Sequence, residues 1–183
     1  MLYLVSFKGL DMVYQLDVTD LVAYAKKRNF MLFPLLLFLL EKSLRIVLKK
    51  NSFLRPCYSF VDGDNVAWLN TQIMENFEDF FYNYVTDLHK FSLNPQNALP
   101  CASSDNDDIF YVSCLEAYER DNVLPDDFSG CVISLGKLMV SDNNRSLIPL
   151  SLFHLSLADD YFSVLQNLCS RYPEEMSFET QDL

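Results

Sequence analysis

The sequence predicts one α/β domain. Short β-rich runs alternate with longer stretches whose apolar residues recur at helical spacing. The length of 183 residues suits a single domain, taken here as residues 1–183. Half of the residues are hydrophobic and 21% are charged, so a sizeable core can form without disulfides or metals.

The elements are expected in the following order. Leu2–Leu10 is a strand or irregular arm within residues 1–11. Met12–Val18 alternates as MVYQLDV and reads as a strand. Thr19 is expected to cap a helix over Asp20–Arg28, its oxygen accepting N–H groups of the first turn. Lys26, Lys27 and Arg28 close that helix, where they complement its dipole. The run Phe30–Leu40 is far shorter than the roughly 20 residues of a membrane span. It sits too far into the chain for a secretory signal. It instead opens a buried helix from about Phe33 to Lys49, with Pro34 in the first turn. Leu36, Leu40, Leu44, Val47 and Leu48 then form an inner stripe, and Lys42, Arg45, Lys49 and Lys50 an outer one.

CYSFV and VAWL flank Asp62-Gly63, which signals a β-hairpin. Ile73–His89 has Phe77, Phe80, Phe81, Tyr84, Val85 and Leu88 at helical intervals, a core-facing stripe. Ser92–Asp108, broken by Pro95 and Pro100, is an exposed loop, and Leu115–Asp127 is irregular. Ile109–Ser113, Cys131–Leu135, Lys137–Val140 and Leu147–Leu157 read as strands, with a turn at Asp142–Arg145. A last helix runs Asp160–Tyr172 with Phe162, Val164, Leu165 and Leu168 inward, and residues 173–183 form a frayed tail.

Composition excludes several classes of function. There are 14 Lys and Arg against 25 Asp and Glu, a formal charge of −11. That field repels phosphate backbones, so a nucleic-acid partner is not expected, nor is a membrane. Five scattered cysteines without CxxC spacing, with only His89 and His154 beside them, form no recognisable metal site. Reduced thiols in a cytoplasmic protein are the expectation.

The order of parts resembles the chloramphenicol acetyltransferases. The resemblance rests on LDVT at 16–19 before a helix ending in KK, and on Phe33-Pro34 opening the apolar helix. It rests further on the Asp62-Gly63 hairpin ending at Trp68, and on FYVS at 110–113. Gly136-Lys137, Ile148-Pro149-Leu150, Asp160 and a helix ending Leu168-Cys169 complete it. It implies a two-layer sandwich: a mixed sheet with helices packed on it, in a homotrimer with active sites at subunit interfaces. It also implies acetyl-CoA as co-substrate if the chain is active.

Acetyl transfer to a hydroxyl needs a base to remove the proton and a donor for the oxyanion. The family supplies the base through His-His-x-x-x-Asp-Gly. The aligned segment here places Asp160 on the family's Asp and Ser156 on the catalytic His, with Leu155 for the first His and Tyr161 for the Gly. His154 precedes Ser156 by two; on a strand it would point to the same side, about 6–7 Å away. Ser156 lacks the adjacent base a nucleophilic hydroxyl requires. Asn122 falls at the oxyanion-donor position, with Glu119 and Asp121 nearby. From the resemblance, the family's first strand and the Arg that grips its Asp are expected to lack a counterpart. Lys8, the nearby cation, cannot replace a bidentate guanidinium.

These departures favour a catalytically inactive family member that binds a ligand or protein partner through the inherited interface channel. Two alternatives stand beside it. One is an active O-acetyltransferase on a hydroxylated small molecule, using His154 and Asn122. The other is a sequestering protein for a nucleotide-type ligand.

Overall fold

The structure, a computed structural model, describes residues 12–59, 66–69, 71, 72, 74–93, 109–114 and 130–178. The arm before Met12 with Lys8, the Asp62-Gly63 turn, the Pro95 and Pro100 loop, and the 115–129 stretch with Asn122 lie outside these residues. Strand β1 (Met12–Asp17) is followed by α1 (Thr19–Arg28), α2 (Leu32–Leu48), β2 (Phe53–Ser59) and β3 (Val66–Trp68). Then come α3 (Phe77–Leu93), β4 (Ile109–Cys114), β5 (Cys131–Leu135), β6 (Met139–Val140), β7 (Ser146–Phe153) and α4 (Ala158–Phe178).

The strands form one mixed sheet in the order β1-β7-β5-β4-β2-β3, with β6 also paired to β7. β4 is parallel to both β2 and β5; the β1/β7, β5/β7 and β2/β3 pairs are antiparallel. Register places Leu54, Phe110, Val112, Ile133, Leu135, Ile148, Leu150, Leu152 and Leu16 on one face. All of these belong to the core cluster shared with the helices. Along β7 every second residue is buried, the period a one-sided sheet imposes. α2 packs against α1, α3, α4 and β2, so it is the central helix. Leu35 through Leu40 are all buried, each worth about 1.5–3 kcal/mol relative to exposure.

The aromatic stripe of α3 is core at one end. Phe77 and Phe80 are buried, and Phe77 meets Phe30 edge-on at 5.1 Å and Phe38 at 5.8 Å between ring centroids. Farther along, Tyr84 and Leu88 are half-buried and Val85 is exposed. The helix also begins at Phe77, later than the expected Ile73.

Several expected boundaries shift, each for a local reason. Thr19 is not an N-cap: it is the first residue of α1, and no side chain caps that end. Its hydroxyl instead donates to the Asp17 carboxylate, a charged and therefore stronger acceptor, and accepts the Ser146 N–H at 2.9 Å. The thereby clamped end joins β1 to β7. Helix α1 stops at Asn29 in the left-handed region (φ 57°), a conformation asparagine tolerates. Strand β7 ends at Phe153 rather than Leu157, and the β6 strand is confined to Met139–Val140. Helix α4 does not stop at Tyr172. It continues through Pro173 to Phe178, although an interior proline costs about 3 kcal/mol. Buried Tyr172 offsets part of that cost, packing on Phe38 and receiving the Lys42 ammonium over its ring.

Candidate functional site

The segment aligned with the catalytic motif forms the turn between β7 and α4. Leu155 packs against the core, while Ser156 and Leu157 are exposed. The Tyr161 N–H donates to Leu157 O at 2.9 Å and closes the first helical turn. Asp159 and Asp160 sit in that turn, where a helix N-terminus favours negative charge.

Asp159, not Asp160, is the tethered carboxylate. The Tyr14 hydroxyl of β1 donates to Asp159 Oδ1 at 2.7 Å, and the Tyr14 ring stacks on Phe162 at 4.4 Å. Loss of solvent and the carboxylate acceptor push the Tyr14 phenol up to about 12. Asp160 is exposed and makes no hydrogen bond or ion pair with a described residue. The MVYQLDV alternation placed Tyr14 in a strand, but nothing in it named a partner 145 positions away.

His154 departs from the expected geometry. Strand alternation with Ser156 fails because β7 has already ended, and His154 takes a left-handed φ of 56°. Its side chain is exposed, and its carbonyl accepts the Cys131 thiol at 3.0 Å. His89 is exposed on α3, a helix that packs against α2. No described imidazole therefore takes the aligned base position, and Ser156 has no base hydrogen-bonded to it.

Tyr161, expected from the resemblance to stand in place of the motif's glycine, is fully buried and donates to Leu40 O at 3.4 Å. Burial first, and the neighbouring Cys169 second, hold its phenol well above the ordinary value. The Cys169 thiol is likewise pushed up to about 12, by burial and then by Asp17, which keeps it protonated. A large aromatic thus pins α4 onto α2 directly beneath the aligned turn.

Among the described residues no group of His, Cys, Asp or Glu could hold a metal. A small pocket is lined by Pro56, Thr71, Gln72, Phe80, Tyr84 and Asp87. It lies on the β2 side of the sheet, three strands from β7, or about 14 Å at ordinary spacing. Nearby, Glu41 of α2 is buried and bonded to Thr71. The inner stripe expected of this helix leaves out Glu41; the helical spacing of Glu41 from Leu37 and Leu44, both buried, is the signal that could have found it. No described helix is long and apolar enough to cross a membrane.

The mixed sheet, the single core shared with its helices and the β7–α4 turn define a CoA-dependent acyltransferase fold. A solved chloramphenicol acetyltransferase covers 89% of this chain and 90% of its own, with a TM-score of 0.68 at 9% identity. A truncated catalytic core of the 2-oxoacid dehydrogenase multienzyme complex from Thermoplasma acidophilum gives 0.61 at 13% identity, over 87% of this chain and 85% of that one. A probable dihydrolipoamide acetyltransferase from Listeria monocytogenes gives 0.59 at 12%, over 87% and 83%. In sequence, a chloramphenicol acetyltransferase of Clostridium perfringens is 26% identical over 88% of this chain and 84% of its own length. The sequence model of the chloramphenicol acetyltransferase family matches residues 3–168. The chain belongs to the chloramphenicol acetyltransferase family.

Proposed function

We propose that this chain is a catalytically inactive member of its family, assembled as a cytoplasmic homotrimer. It binds a small-molecule ligand or a protein partner through the interface channel its relatives use for substrates. One observation supports this reading: Ser156, which the resemblance aligns with the base position, lies in an exposed turn with no imidazole bonded to it. A serine hydroxyl cannot accept a proton from an acceptor alcohol near neutral pH. Tyr161 replacing glycine supports the same reading, since it converts the motif's end into a packing anchor. Multimeric assembly is supported by the neighbours whose structures are multienzyme cores.

The test is acetyl transfer from acetyl-CoA to chloramphenicol and to a panel of hydroxylated acceptors by the purified chain. Turnover at an ordinary enzymatic rate, about 1–1000 per second, overturns the reading. Sedimentation at three times the 21.2 kDa chain mass is expected, and a monomer rejects the trimer.

The left-handed backbone at His154 favours a second reading, because unusual backbone conformations cluster at functional sites. In it, His154 is the base and Asn122 the oxyanion donor of an active O-acetyltransferase using acetyl-CoA. His154→Ala then abolishes turnover. A turnover that survives this substitution rejects it.

A further inference from the structure

Outside the aligned turn, one buried cluster joins a carboxylic acid to three parts of the fold. Glu41 projects from the middle of α2 and is 3% exposed. Its Oε2 is hydrogen-bonded to the Thr71 hydroxyl, in the connector between β3 and α3. Thr71 is in turn laid along β2. Its N–H donates to Leu54 O at 2.9 Å, and its Oγ1 accepts the Leu54 N–H at 3.2 Å. The Leu69 N–H donates to Pro56 O at 3.1 Å. Pro56 has no N–H to give back, so Leu54 supplies the β2 donor that this stretch of connector bonds.

A threonine hydroxyl has one proton and two acceptor positions. When Glu41 is ionised, that proton is committed to the carboxylate. When Glu41 is neutral, its own O–H donates to Thr71 Oγ1, and the threonine proton turns to Leu54 O, 3.3 Å away. The neutral state therefore holds one more hydrogen bond and buries no charge. We propose that the joint between α2, β2 and the connector into α3 is a proton-operated latch, with Glu41 as its titrating group and Thr71 as the contact that reverses direction.

The groups around it set the sign. Arg45, one turn along α2, is drawn outward to Glu75 of the connector at 3.5 Å. Asp87 of α3 lies across the adjoining pocket, bonded to Gln72 at 2.9 Å and Lys90 at 3.1 Å. The Tyr161 hydroxyl of α4 sits on Leu40 O, next to Glu41 in sequence. On β2, Arg55 belongs to the opposite sheet face, bonded to Tyr111. Burial disfavours the charged carboxylate more than the Thr71 hydrogen bond and Arg45 favour it. The carboxyl is pushed up from 4.5 to about 7. An acid raised on folding contributes stability that is complete below its ordinary value and is lost as pH rises through the folded value. The latch is closed in mild acid and loosens above about 7.

Amide hydrogen exchange at Leu54 and Thr71 of the full chain tests this, corrected for intrinsic rates. Between pH 6 and pH 8 protection is expected to fall about tenfold, the population ratio for one group titrating at the middle of that range. In Glu41→Gln, which keeps the shape without the titration, it is expected to stay flat. The same pH dependence in both proteins overturns the latch. Should Glu41→Gln not fold, the carboxyl resonance of Glu41 in the unaltered chain decides. A midpoint near 7 supports the latch, and one in the ordinary carboxylate range overturns it.

Discussion

The side-chain amide of Gln166 grips the peptide of Asp17 at both ends. The Asp17 N–H donates to Gln166 Oε1 at 2.9 Å, and Gln166 Nε2 donates to Asp17 O at 3.0 Å. A helical side chain thus stands in for a neighbouring strand at the outer edge of β1, where β7 occupies the other side. It also fixes the height of α4 on the sheet, and so the position of the turn that carries Ser156.

Replacing Gln166 by Ala leaves both backbone groups of Asp17 without this partner in a half-buried place. A loss of about 1–2 kcal/mol is expected. Urea unfolding should show a lower midpoint at unchanged slope. An unchanged midpoint would show that water replaces the amide at no cost.

Asp17 also anchors the strand end through its carboxylate. Burial opposes its charge, but bonds from the Thr19 hydroxyl and N–H, together with Arg145 at 2.9 Å, hold it below the ordinary value. A depressed acid contributes stability above its unfolded value that is lost as pH falls through the folded one. Asp17→Asn is therefore expected to be about 1–2 kcal/mol less stable than the parent at pH 7. That difference should begin to shrink near the ordinary value of 3.8 and vanish only below the lower folded value. Denaturation curves collected down the acid range check it, and a gap that persists in strong acid counts against the carboxylate.

Phe77 joins α3 to α1's end and to α2, with ring contacts to Phe30, Phe38 and Phe81. It is fully buried. Phe77→Ala is expected to cost about 3–5 kcal/mol, the transfer energy plus the cavity left behind. Calorimetry or denaturant titration measures this directly, and a cost under about 1 kcal/mol would mean that the aromatic cluster closes over the gap.

Gly136 follows β5 and donates its N–H to Pro149 O at 2.7 Å. A Cβ there would lie 3.0 Å from the Pro149 ring, whose atoms cannot swing aside. Gly136→Ala is expected to cost about 1–3 kcal/mol by overpacking. A stabilised variant, read from its thermal midpoint, would show that the β5–β7 contact has slack.

Much of the scaffold was legible because local patterns agreed with the fold. The all-apolar run Leu35–Leu40 read as a central element, and Met12–Val18 and Leu147–Leu157 read as strands that the structure holds over Met12–Asp17 and Ser146–Phe153. What escaped depended on tertiary partners. Pro173 is an end signal locally, yet α4 passes through it because Tyr172 is held on α2. Thr19 looks like a cap until Asp17 and Ser146 compete for its hydroxyl. At the aligned turn, residue types alone carried the expectation that Ser156 has no adjacent base. The tether from Tyr14 to Asp159 and the left-handed His154 were not legible in them, since both arise where β7 ends and distant segments meet.

The strand order carries a cost in time. Met12 pairs with Leu152, so the first strand waits for nearly the whole polypeptide before it finds its neighbour. Such distant pairing slows folding and prolongs the exposure of sticky intermediates. On the ribosome, the oily α2 emerges long before β7 and α4 can cover it. The newborn chain therefore carries uncovered apolar surface for longer than a fold paired locally would.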